Sequence, residues 1–365
     1  MISTKMTTRD EFPDKTRRAL AERAAHHCSF PGCSAITIGP SDESKVSVSK
    51  TGMACHIAAA AGGLGARRYV PNMTKGQRTS IKNGVWMCYK HGKLVDTDEK
   101  RFTIPMLRKW RELAEFRAQW MQDHGAERPV PLHVLEGRVG LADEELRFVK
   151  LGNENAVLGT AFMDCCVESI WSQEISRVVR DVAVEIIRNS LTHGKASECI
   201  VQITRDAIFV RDNGFDFSVF DLEMHPKGRG GAAATKHLIA KCGQEVILGS
   251  KRQNGMNETM FARGGSYSGI LLTKPCCIQL DRHDFEQIKT KQFPARLLSP
   301  ELNPCKLVYL LLPSFLTPSD TYILRESISQ DAVCGKKIIF VAPGSSSFVC
   351  QQIAEFFPNC RVLQI

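Results

Sequence analysis

No apolar run in this chain approaches the roughly 20 residues needed to cross a bilayer as a helix, which excludes a helical membrane protein. The opening stretch, MISTKMTTRDEFPDKTRR, lacks the apolar segment and small-residue cleavage site of a secretory leader, so a cytoplasmic location is expected. There is no internal repeat and no low-complexity tract. A GxxxxGK[ST] phosphate loop is also missing, which excludes a Walker-type nucleotide site. What remains is 365 residues, 43% hydrophobic and 24% charged, the composition of an ordinary soluble protein with two or three domains. Fourteen cysteines are many. In a reducing compartment they read as buried thiols or metal ligands rather than as a disulfide framework.

Charge is unevenly distributed. Residues 1–128 carry 22 Lys and Arg against 13 Asp and Glu, a net of +9, while the remainder holds 26 of each sign. A basic first third joined to a neutral remainder points to a polyanion partner for the first part, most often nucleic acid, and a separate task for the second.

Helical periodicity is expected at 14–27, DKTRRALAERAAHH, and at 104–123, IPMLRKWRELAEFRAQWMQD. Between them lie CSFPGC, GMACHIAAAAGGLGARRY and NGVWMCYKHGKLVD, too irregular and polar for a normal apolar core, which is the condition under which a metal is needed. Residues 124–160 read as a linker or bridging segment, beginning with the Pro- and Gly-containing HGAERPVPLHVLEG. From about 161 the pattern becomes α/β, and the chain closes as strand, helix, strand over KKIIFVAPG, SFVCQQIAEFF and RVLQI.

Cys28 and Cys33 flank a Pro-Gly turn, and Cys88 and His91 have the spacing with which one loop can grip an ion. Together they make a candidate Cys3His structural zinc site, with Cys55 as a possible substitute ligand. Over about 12–116 the chain resembles a bacterial HNH endonuclease-like domain, on LAERAAHHCSFPGC, ACHIAAAAGG, MTKGQRTSIKNGVWMCYKHGKLVD and LRKWRELAE. The resemblance implies that His56 is a general base on a ββα-metal finger and that Asn83 organises the finger. At the third family position, either His91 serves zinc and Gly92 stands where a catalytic-metal ligand belongs, or His91 keeps the catalytic role in a shifted register.

In VAVEIIRNSLTHG, Glu185, Asn189 and His193 share one helix face. The strand AIFVRDNGF ends in Asp212-Asn213-Gly214, where a carboxylate can meet an exocyclic amine. HPKGRGGAAATKHL then places glycines at a helix start, where backbone N–H groups can receive phosphate. In this order, over about 165–275, the segments resemble the GHKL superfamily of Bergerat-fold ATP-binding domains. The resemblance implies ATP and Mg2+ as cofactors. It makes Glu185 the base for hydrolysis, Asn189 the magnesium ligand, and Asp212 and Gly214 the adenine-reading pair. Gly228, Gly230 and Gly231 would face phosphate, and Thr259 would support Asp212.

The expected architecture is therefore α+β. An HNH-like zinc domain (1–123) is followed by the bridging segment (124–160), a Bergerat α/β sandwich (161–275) and a small α/β extension (276–365). The pairing implies an ATP-binding or ATP-hydrolysing module controlling a DNA-binding or DNA-cleaving module, of a kind suited to bacterial genome and anti-phage defence. A non-catalytic nucleotide-sensing adaptor, with a degenerate HNH domain that binds nucleic acid or a partner protein, is the alternative, and an anti-sigma-type serine/threonine kinase is a third. A homodimer is open.

Overall fold

The computed structural model describes residues 9–33, 35–63, 65–126, 130, 134–135, 138–219, 230–241, 245–264, 267–287, 300–328, 336–358 and 360–364. The protein is mixed α and β, with several separate sheets. It divides into two compact units: Met1–Ala142 with Ala161–Ile170, and Asp143–Thr160 with Trp171–Ile365. Residues 124–142 thus fall in the first unit and 143–160 in the second. No described helix is long and apolar enough to cross a membrane.

In the first unit, α1 (Asp14–Arg23) is followed by a short antiparallel ribbon of β1 (Ile38–Pro40) and β2 (Val48–Lys50). A second antiparallel pair, β3 (Gly52–His56) and β4 (Gly84–Cys88), runs in the register Gly52↔Cys88 to His56↔Gly84. Before β4 comes a single helical turn, α2 (Lys75–Arg78), closed by a capping box in which Thr74 and Gln77 bond each other's backbone N–H. Directly after β4 the chain enters α3 (Tyr89–Val95). The long α4 (Ile104–His124) starts at Thr103, whose hydroxyl accepts from the Met106 N–H, with a proline in its first turn. Leu20, Val85, Met87, Val95, Leu107 and Leu113 are buried on the apolar faces of these elements, as is Ile57 just after β3.

The second unit holds a five-stranded antiparallel sheet in the order β5-β6-β7-β9-β8. Its strands are β5 (Glu144–Phe148), β6 (Cys199–Ile203), β7 (Ala207–Asp212), β8 (Val246–Gln253) and β9 (Met256–Arg263). β5 lies inside the segment read from sequence as a bridge, and it supplies one edge of the sheet. In chain order α5 (Glu154–Asp164), α6 (Val167–Trp171) and α7 (Gln173–Thr192) precede β6, residues 161–170 of this stretch belonging to the first unit, and α8 (Gly230–Lys241) follows β7. α7 buries Ile175, Val179, Val182, Ala183, Ile186 and Ile187, a stripe at helical spacing. The sheet answers with alternation: Cys199, Val201, Ile203, Ile208 and Val210 are buried, while Ile200, Gln202, Phe209 and Arg211 are half-buried.

The last ninety residues form a four-stranded parallel sheet in sequential order. After α9 (Tyr267–Leu271) come β10 (Cys277–Gln279), α10 (Arg282–Gln287), β11 (Leu307–Leu311), α11 (Pro318–Ser327), β12 (Lys337–Val341), α12 (Ser347–Phe356) and β13 (Arg361–Leu363). Strand β8, an edge of the five-stranded sheet, is covered from this side. Tyr309 Oη accepts from the Leu248 N–H at 3.0 Å and donates to the Leu248 carbonyl at 2.9 Å. The Lys306 N–H donates to Ser250 O at 2.9 Å, and the Arg252 N–H to Pro304 O at 2.8 Å. One expectation is corrected here: Cys276 and Cys305 are joined by a disulfide. They precede neighbouring parallel strands, so the pairing of β10 with β11 brings their backbones together, with the Tyr309 N–H donating to Cys276 O at 2.9 Å.

Candidate metal centre and nucleotide site

Cys28 leaves the loop after α1 with its N–H donating to Ala35 O at 3.1 Å. The chain then turns through Gly32, whose φ of +78° suits a residue without Cβ, and closes with the Cys33 N–H on Phe30 O at 3.0 Å. The Ser29 N–H donates to Trp86 O at 3.0 Å, which holds this turn against β4. Cys88 ends β4 and His91 lies in the first turn of α3. All four ligand atoms of Cys28, Cys33, Cys88 and His91 lie within 4.8 Å of one another. His91 Nδ1 is 3.2 Å from Cys88 Sγ and 3.5 Å from Cys28 Sγ. A tetrahedral zinc with ordinary Zn–S and Zn–N bonds separates its donors by about 3.5–3.8 Å, so this set can hold one. Burial pushes the Cys28 thiol up to about 12, and a thiolate there calls for a cation beside it. Phe30 stacks on the His91 ring at 4.0 Å and meets Trp110 edge-on, fixing the imidazole plane. Cys55 is outside the four-ligand group, and burial pushes its thiol to about 12 as well.

His56 ends β3 and is buried. Its ring stacks on Phe12 at 3.8 Å, and its Nε2 lies 3.1 Å from Asp10 O, a contact that assigns the proton to Nε2 and leaves Nδ1 as the basic nitrogen. Burial lowers its pKa below the usual imidazole value. Asn83, just before β4, clasps the chain beyond His56: its Oδ1 accepts from the Ala58 N–H at 2.8 Å, and its Nδ2 donates to Ala58 O at 2.9 Å and Arg78 O at 3.1 Å.

A cavity of about 300 Å³ opens beside His56, lined by Cys55, Arg9, Arg67, Arg68 and Asp96 together with small residues of the following loop. Gly92 is buried. A Cβ built on it would stand 2.6 Å from Met53 Sδ and 2.9 Å from Cys55 Sγ, so those side chains fill the space that a ligand side chain at 92 would need. Among the described residues, the zinc set is the one group of three or more Cys, His, Asp and Glu close enough to share an ion.

Arg68 gave no signal in the sequence. It sits in a left-handed backbone conformation, φ +55°, with its guanidinium buried. It donates to Ile57 O at 2.7 Å, Val95 O at 2.6 Å and Asp96 Oδ1 at 3.0 Å, tying the end of β3 to the end of α3.

In the second unit, Glu185 and Asn189 lie one turn apart on α7, both half-buried. Asn189 Nδ2 donates to Glu185 O at 2.8 Å. Arg188 bonds Glu154 Oε1 at 2.7 Å and reaches Glu185 Oε1 at 3.4 Å. The exposed His193 caps α7, and Gly194 O receives the Phe215 N–H at 2.7 Å. A Cβ on Gly214 would lie 2.6 Å from Gly194 O, so the turn after β7 packs backbone to backbone on the turn after α7. Asn213 locks the same junction, accepting from the Ser197 N–H at 2.9 Å and donating to Ser197 Oγ at 2.7 Å.

Asp212 is buried and ends the apolar inner row of β7. Its Oδ1 accepts from the Gly214 N–H at 2.9 Å and from Asn257 Nδ2 at 2.9 Å. The side chain that meets it from β9 is thus Asn257, directly opposite in register. Thr259 lies two residues along the same face, opposite Val210 and Ser250. Ser190 on α7 and Thr235 on α8 carry buried hydroxyls that find no hydrogen-bond partner among the described residues. Gly230 and Gly231 open α8 as expected for a glycine-led helix start, whereas Gly228, with its neighbours Lys227 and Arg229, lies outside the described residues. No protein-family model, curated protein or solved structure matches this chain.

Proposed function

We propose that this chain joins a GHKL-type, Bergerat-fold module that takes Mg-ATP to an HNH-like zinc module that holds nucleic acid, and that nucleotide state controls that grip. The observation that carries the nucleotide half is the junction at Gly194 and Gly214. Through it the Asn189 end of α7 stands beside the buried Asp212 carboxylate. In this reading Asp212 accepts from an exocyclic amine, Asn189 holds magnesium, Glu185 takes the proton of the attacking water, and the start of α8 meets phosphate.

The nucleic-acid half is carried by the ββα order of β3, β4 and α3 and by the basic charge of the first 128 residues. Holding is favoured over cutting, because Met53 and Cys55 fill the space at Gly92 and a hydrolytic cation would find no ligand side chain there. This makes the DNA-binding form of the reading preferred over the DNA-cleaving one.

The test is calorimetric titration of ATP with magnesium, run beside hydrolysis by Glu185→Ala and cleavage of plasmid DNA with and without ATP. Expected are ATP binding, loss of turnover with binding retained in Glu185→Ala, salt-sensitive DNA binding, and no nicking. Nicking that disappears in His56→Ala would make the first unit a nuclease. Absence of nucleotide binding would end the GHKL reading.

A further inference from the structure

Asp212 can read a ligand amine only if its carboxylate is held in one orientation, and the group that holds it was not visible in the sequence. Asn257 is 4% exposed and sits opposite Asp212 on β9. Every polar atom of its side chain is engaged. Nδ2 donates to Asp212 Oδ1 at 2.9 Å and to Phe215 O at 2.7 Å. Oδ1 accepts from Arg252 Nη1 at 2.7 Å and from the Phe217 N–H at 3.3 Å. Arg252 Nη1 also donates to Gly214 O at 2.9 Å, so the clasp closes back on the loop whose Gly214 N–H bonds the same carboxylate oxygen. Both fixed donors fall on Asp212 Oδ1, and among the described residues none falls on Oδ2.

We infer that Asn257, braced by Arg252, is a positioning residue that saturates Asp212 Oδ1 and leaves Oδ2 as the acceptor for the exocyclic amine of a bound purine nucleotide. The inference rests on the nucleotide reading above. It assigns base selectivity to a side chain that never touches the ligand. Two donors on one oxygen stop the carboxylate rotating, so the remaining oxygen keeps a constant direction. A purine carrying hydrogen in place of the amine leaves that oxygen without its donor.

The experiment compares calorimetric affinities of the full chain for ATP and for purine riboside 5′-triphosphate, which lacks the amine. Wild type is expected to prefer ATP by roughly 10- to 100-fold, the worth of a hydrogen bond to a charged group. In Asn257→Ala the preference falls to about threefold or less, while affinity for the amine-free analogue stays within about threefold of wild type, because only the oriented acceptor has been lost. Thermal melting establishes that the variant is folded.

Should Asn257→Ala fail to fold, Arg252→Gln removes the brace and is expected to give an intermediate preference. A full preference in whichever variant folds overturns the assignment, and so does an equal loss of both nucleotides in folded protein. Wild type that binds neither nucleotide overturns the nucleotide reading and this assignment with it. Wild type that binds both, with the ratio unchanged by the variants, overturns this assignment alone.

Discussion

Replacing Asn83 by alanine tests the ββα arrangement at its clasp. The side chain is 3% exposed and makes three hydrogen bonds, one from the Ala58 N–H and two to the carbonyls of Ala58 and Arg78. Ala58 itself is fully buried, so water cannot replace the lost partner of its N–H. An orphaned buried group costs roughly 1–3 kcal/mol, and three of them with a small cavity come to about 3–5 kcal/mol once their overlap is allowed for. For a unit of this size each kcal/mol is about 2–4 °C of melting temperature, so a fall of roughly 6–20 °C is expected. Circular dichroism melts at saturating zinc hold the metal's own contribution fixed. Asn83→Asp keeps the acceptor but turns a carboxylate oxygen toward the Ala58 and Arg78 carbonyls, and should cost at least as much as alanine. A loss below about 1 kcal/mol for alanine would refute the claim that this side chain clasps the loop after His56.

Gly92→Ala should gain about 1 kcal/mol of helix propensity yet lose more through its collision with Met53 and Cys55, giving net destabilisation. A cycle with Met53→Ala should show favourable coupling, and a stabilised Gly92→Ala would contradict the packing. The Glu154 carboxyl is held down to about 2 by the Gly152 N–H and then by Arg188. Its folded value lies below the unfolded one, so its stabilisation is present above about pH 5 and fades as pH falls toward 2. Glu154→Gln should therefore flatten the acid limb of the second unit's stability, and an unaltered limb in denaturant titrations would count against the pairing. Native mass spectrometry should find one zinc per chain, with chelation or Cys33→Ser lowering the melting of the first unit; a chain that stays metal-free and equally stable would exclude the centre.

Short-range chemistry was readable from the chain itself. The pairs Cys28 and Cys33, and Cys88 and His91, are each close in sequence, and their spacing alone predicts the ligand set that comes together. The helix that carries Asn189 and the strand that ends at Asp212 were readable for the same reason, from local periodicity. What escaped depends on register and on long loops. Asn257 meets Asp212 only because β7 and β9 pair as they do, and the position singled out instead, Thr259, is two residues along the same face. Arg68 reaches from residue 56 to residue 102 in its contacts, and nothing local marks it. Strand β5 lay hidden among prolines and charges because an edge strand with one exposed face carries few apolar residues. The bridge between Cys276 and Cys305 required knowing that their strands are neighbours.

The cover over β8 bears on how this protein can be shortened. Leu248, Ser250 and Arg252 present their outward backbone groups to Tyr309 Oη, Lys306 and Pro304. Ending the chain after the five-stranded sheet would strip those partners and leave an apolar strand with a bare hydrogen-bonding edge, open to any other extended segment. A fragment made by trimming at 275 would then stick to copies of itself. The closing parallel sheet is a guard rail for its neighbour, and it has to travel with it.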